Sequence, residues 1–156
     1  MNIFFLDESP KLAAEYQCDK HVVKMILESV QMLCTAHHLT GTGSPDIYKP
    51  THIHHPCTKW VTESRDNWLW LADHTEHLSS EFTKRYGGTH KSTVMLRKLS
   101  VPHLPFIPMT TPALAMPDEY KEYDAVEAYR NYYRADKASI AKWERGTDQP
   151  FWWNYG

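Results

Sequence analysis

From Cys18 to His38 the polar residues of the chain recur at a single angular position. His21, Lys24, Glu28, Gln31, Thr35 and His38 follow one another at spacings of 3, 4, 3, 4 and 3, which on an α-helix makes them one face. Val22, Val23, Met25, Ile26, Leu27, Val30, Met32, Leu33, Cys34 and Ala36 clothe the remainder. A helix apolar over most of its circumference is central to its fold, so the polar seam is predicted to line a cleft or inner cavity. Asp19 is the expected N-cap. Glu28 is the charge that matters most. A carboxylate in such a seam costs free energy unless paired, which makes it a satisfied structural acid or a functional one.

The rest of the chain reads around that helix. Asn2 to Leu6 is a short extended segment, and Ser9-Pro10 supplies the N-cap and first position of a helix over Lys11 to Gln17. Thr40 to Pro50 is a loop. His55-Pro56 opens a second long helix, predicted to run to Tyr86 and stop at Gly87-Gly88, with an apolar stripe of Trp60, Trp68, Leu71, Leu78 and Phe82. A shorter helix is expected over Thr89 to Ser100. Five prolines between Val101 and Pro117 exclude regular helix and predict an irregular strap over the core. Asp124 to Glu127 starts a last helix, with Tyr129, Tyr133, Ile140 and Trp143 on one face and Arg130, Arg134 and Lys137 on another. The closing Phe151-Trp-Trp-Asn-Tyr155-Gly is too aromatic for a free tail and is expected to pack back or meet a ligand. The expectation is therefore a mainly α fold, residues 1–156 forming one compact helical domain that buries roughly two-thirds of its unfolded surface.

A net charge of −2 argues against non-specific coating of nucleic acid, while leaving room for a locally basic groove. The three cysteines, Cys18, Cys34 and Cys57, form neither a CxxC pair nor an even framework, which fits a reducing compartment; a cytoplasmic location is expected. No signal peptide or membrane span is legible. His52-Ile-His-His55-Pro-Cys57 and His74-x-x-His77-x-x-x-Glu81 offer metal ligands but match no named signature, so neither a metal nor a cofactor is expected. With no Gly-rich phosphate loop, GxSxG or readable triad, the candidate nucleophiles are amines: Lys20, Lys24 and the α-amine of Met1.

Asp19-Lys-His21-Val-Val-Lys-Met-Ile-Leu-Glu28 resembles the Asp-x-His-x6-Glu helix of the phage pyrimidine-dimer DNA glycosylase/AP lyase family, the endonuclease V type, in which the last residue is the catalytic glutamate. Leu78-x-x-Glu81-x-x-Lys84-Arg85 resembles the end of that family's second helix. Pro117-x-Glu119-Tyr120 and Pro150-x-Trp152-Trp153-x-Tyr155-Gly156 resemble its C-terminal part, where aromatic residues end the chain near DNA. The resemblance implies a divergent, phage-type glycosylase whose N-terminal amine attacks the sugar at C1′ and whose imine then allows β-elimination. An α-amine, with a reference pKa near 7.7–8.0 against roughly 10.4 for lysine, suits attack at neutral pH. Met1 and Glu28 would be the reacting pair, with His21 orienting the site. Asn2, Lys24, Gln31, Lys84, Arg85, Trp152, Trp153 and Tyr155 would hold double-stranded DNA carrying the damaged or modified pyrimidine.

Two departures stand out. The family exposes the amine of a small second residue by removing Met, whereas the large Asn2 predicts that Met1 is retained. Its phosphate-binding arginines correspond here to Asn2, Leu27 and Gln31, which predicts weaker DNA binding. Rival readings are a nucleotide- or base-modifying enzyme on the same scaffold and a non-catalytic phage protein that binds a host factor. An enzyme needs the seam open; a binder can have it sealed.

Overall fold

The computed structural model describes residues 1–154. It is mainly α: α1 Pro10–Tyr16, α2 Asp19–Leu39, α3 Pro56–Glu63, α4 Arg65–Tyr86, α5 Lys91–Leu96 and α6 Ala125–Asp136, with one 3-10 turn at Asp118–Tyr120 and no strand among the described residues. Helix α2 packs on α4, α3 and α5, and α4 also covers α1. Their shared interior is built from Ile26, Leu33, Trp60, Leu71 and Leu78, all essentially inaccessible. Among the described residues no helix is long and apolar enough to cross a membrane.

Four boundaries differ from expectation for local reasons. Cys18, not Asp19, occupies the N-cap of α2. Asp19 sits in the first helical turn, where a carboxylate suits the helix dipole, and binds outward to the Arg85 guanidinium at 3.3 Å and the Glu144 N–H at 2.8 Å. The expected 56–86 helix is two helices, because Ser64 is extended (φ −151°, ψ 154°) and its hydroxyl caps α4 by accepting the Asn67 N–H at 3.0 Å. Buried Asn67 then ties the break to the strap, donating to Trp60 O and Thr110 Oγ1, both at 2.7 Å, and accepting the Thr110 N–H at 3.0 Å. Helix α5 is shorter than Thr89–Ser100, starting after a His90 cap whose Nδ1 accepts the Ser92 N–H. Helix α6 ends at Asp136, so Ile140 and Trp143 do not continue its face. The 101–117 strap is irregular as expected.

Within the described part of the aromatic terminus Trp152 packs back, while Phe151 stays exposed. Trp152 is 2% exposed, edge-on to Tyr16 and Tyr133, with the Arg130 guanidinium 5.3 Å from its ring and its carbonyl accepting from Arg134 at 3.0 Å. Trp152→Ala should cost about 3–5 kcal/mol in a urea titration, the usual loss for deleting a buried tryptophan. A value below about 1 kcal/mol would show the segment to be dispensable to the fold.

Candidate active site

The extended start of the chain lies against α2, with Ile3, Phe4, Phe5 and Leu6 all buried. Arg130 anchors its far end, donating to Leu6 O at 2.9 Å and Asp7 Oδ1 at 3.0 Å. Asn2 anchors the near end: its Nδ2 donates to Ala115 O at 2.9 Å and its Oδ1 accepts the Phe4 N–H at 2.8 Å. Between them Phe4 takes φ +43°, a left-handed conformation that costs a bulky residue on the order of 1–3 kcal/mol. The surrounding bonds over-determine that kink and turn the first residue toward the seam of α2.

The α-amine of Met1 meets the Glu28 carboxylate there, with nitrogen 3.0 Å from Oε1. The Met1 side chain is 1% exposed although the residue as a whole is only half-buried, so its accessible surface belongs to the backbone end that carries the amine. Glu28 Oε2 is buried and has no hydrogen-bond partner among the described residues. A carboxylate within hydrogen-bond reach of an accessible amine is placed to act as its acid–base partner. The pair borders a polar cavity of about 150 Å³ shared with Phe4, His21, Lys24, Tyr132 and Lys137. Lys24 and Glu28 also line a second, larger cavity of about 980 Å³, with Val23, Leu27, Gln31, Lys49, His90 and Lys91 around it. The seam is thus open from Lys24 to Gln31. It is sealed further along, where buried Thr35 exchanges hydrogen bonds with Thr51 and His38 Nε2 lies 2.9 Å from Tyr48 O.

His21 is buried one turn from Lys24. Burial first, then the charges of Lys137, Lys24 and Lys20, push its imidazole down to about 3. His74, inside the α1–α4 contact, is lowered to about 4 by burial, against the raising effect of its hydrogen bond to Pro10 O. Both rings therefore stay neutral in the fold, whereas the unfolded chain protonates them near 6.5. As pH falls below that value the unfolded state binds protons the native state refuses. Stability should fall with acidification by about 1.4 kcal/mol per pH unit per histidine. For His74 this continues to about 4 and for His21 to about 3. Urea midpoints between about pH 7 and about pH 4.5 should show the decline, and His74→Gln should make it shallower.

Several expected DNA contacts are elsewhere engaged. Arg85 is interior: its guanidinium binds Glu81 at 2.9 Å, Asp19 at 3.3 Å and the carbonyls of Gln17 and Glu15, so it clasps α4 to the start of α2. Lys84 beside it is exposed and lines neither cavity at Glu28. Asn2 is buried and committed to the N-terminal kink. Trp152 is enclosed by the protein's own side chains, and Trp153 is half-buried against Trp143 at 4.8 Å. Tyr155 lies outside the described residues. Gln31 and Lys24 do face open space. Arg130 and Arg134, which the sequence puts on one face of the last helix, pin the two chain ends. Lys137 instead reaches the small cavity, its Nζ 5.0 Å from the Tyr132 ring. No local pattern marks that residue, whose neighbours Met1 and Glu28 lie more than a hundred positions away.

Among the described residues no three His, Cys, Asp or Glu side chains converge as a metal site. His55 caps α3 by accepting the Cys57 N–H at 3.0 Å, and buried Cys57 has its thiol pushed up to about 11 by burial.

The sequence profile of the pyrimidine dimer DNA glycosylase family matches residues 1–94, from the α-amine through the Glu28 helix to the end of α4 and beyond. The chain belongs to this family. Searches of curated proteins and of solved structures return no match. As a pyrimidine dimer DNA glycosylase family member its partner is DNA, and the matched span holds Met1, His21, Lys24, Glu28 and Gln31 while Tyr133 and Lys137 lie beyond it.

Proposed function

We propose that this protein is a DNA glycosylase with AP lyase activity, acting on pyrimidine dimers in duplex DNA through the α-amine of Met1. The supporting observation is the 3.0 Å approach of that amine to Glu28 at the edge of an open cavity. A nucleophile and its proton acceptor must lie within hydrogen-bond reach, and these do.

The amine gives its proton to Glu28 and attacks C1′. The N–C1′ bond forms as the bond from C1′ to the pyrimidine breaks, the electron pair leaving with the base. The departing base, an anion, takes one of the two protons left on the nitrogen, and the lone pair so freed opens the sugar. The C1′–O4′ bond breaks, O4′ takes the proton held by Glu28, and a protonated imine remains. Glu28, again a carboxylate, removes a proton from C2′; the C2′–C3′ double bond forms and the 3′ phosphate departs. Water hydrolyses the imine and restores the amine. Lys24, Lys49, Lys91 and Lys137, which line the two cavities, give the negatively charged protein a local positive field for the DNA backbone.

The opening of the seam between Lys24 and Gln31 favours an enzyme over a sealed binding protein. Borohydride reduction of the imine during reaction with a duplex containing a pyrimidine dimer or an abasic site should leave a covalent protein–DNA adduct. Absence of an adduct on both duplexes would defeat the reading.

A further inference from the structure

Tyr133 joins the end of α6 to the start of α2 and is fully buried. Its oxygen accepts the Cys18 N–H at 2.9 Å and stands 2.8 Å from His21 Nδ1. Burial holds the phenol well above its usual pKa, so the hydroxyl keeps its proton. That proton needs an acceptor. Were Nδ1 also a donor, the oxygen would receive two N–H groups and its own proton would be left to the Cys18 thiol, a weak acceptor. Donation to Nδ1 instead satisfies both rings. On the other side Phe4 stacks on the imidazole, centroids 4.5 Å apart and planes at 22°, which fixes its rotation.

We propose that Tyr133 is a positioning residue that fixes His21 as its Nε2–H tautomer, so that the cavity beside Glu28 receives a neutral hydrogen-bond donor for a sugar oxygen. The identity of that oxygen rests on the glycosylase reading: it is O4′, which gains electron density as the C1′–O4′ bond breaks. The Nε2–H group hydrogen-bonds to it without surrendering its proton, which comes from Glu28. Neutrality matters because the Met1 amine, Lys20, Lys24 and Lys137 already surround Glu28 and His21 with positive charge. A cationic imidazole would compete for the carboxylate and repel the developing imine.

Long-range proton–nitrogen correlation spectra of the ¹⁵N-labelled protein test the assignment, the His21 signals being identified by their loss in His21→Gln. The expected result is a protonated Nε2 and a bare, accepting Nδ1; a protonated Nδ1 would overturn the proposal. Kinetics supply the second arm. Tyr133→Phe should slow borohydride trapping on an abasic duplex about tenfold, the worth of one hydrogen bond, with DNA affinity unchanged. In a His21→Gln background it should cause no further loss. Losses that multiply, or that follow DNA affinity, would show Tyr133 to be structural only. If the wild-type protein traps no DNA, the glycosylase reading fails, while the spectrum still decides the tautomer.

Discussion

Acetylating the α-amine of Met1, or extending the chain before it, should abolish the borohydride-trapped adduct completely. An acetylated nitrogen has no lone pair free to attack C1′, and an extension removes the amine from Glu28 altogether. The effect should be all-or-none, unlike that of the neighbouring lysines. Lys24→Ala and Lys20→Ala should preserve the adduct, Lys24→Ala weakening DNA binding with a shallower salt dependence. Because the Met1 side chain is buried, the control for folding is a circular dichroism melt of the acetylated protein, which should stay within a few degrees of the unmodified one. Loss of the adduct with an intact melt isolates the chemistry.

Glu28→Gln should depress turnover by about 10²–10⁴, the range for a lost acid–base group, while leaving a slowly forming adduct detectable. The amide retains the shape of the side chain and can still accept from the amine at one oxygen. It cannot receive the amine's proton, return one to O4′, or remove the C2′ proton. Strand cleavage should therefore fall further than imine formation. Equal losses in both steps would mean that Glu28 acts only by holding the amine in place. The single-turnover rates of trapping and of strand scission, measured on the same abasic duplex, separate these outcomes.

What could be read from the sequence divides along lines of locality. The seam of α2 repeats every three or four residues within one helix, so its face, its partial exposure and the prominence of Glu28 were legible. The nearness of Met1 to Glu28 followed from resemblance, since the +43° kink at Phe4 and its Asn2 clamp leave no periodic trace. Ser64 broke the second helix although the apolar stripe runs across it; the Ser-x-x-Asn cap was present but outweighed by periodicity. Arg85 shows the opposite failure. A basic residue in the last turn of a helix is favourable on dipole grounds alone, so nothing local revealed that its charge is spent on Asp19, 66 positions away. Trp152 and Lys137 were exchanged in the same way: an aromatic expected to hold DNA fills the core, and a lysine given no role beyond sharing a face with Arg130 and Arg134 turns into the cavity. Both outcomes depend on where α6 and the terminus dock, which is a property of the assembled fold.

The central claim is that the nucleophile is the α-amine of Met1. It is tested most directly by trapping the protein on an abasic duplex with borohydride, digesting protein and DNA, and locating the residual sugar by peptide mass spectrometry. The account predicts the modification on the N-terminal peptide, at the nitrogen of Met1, with fragment ions that place it before Asn2. A modification at Lys24, Lys137 or any other lysine would contradict it.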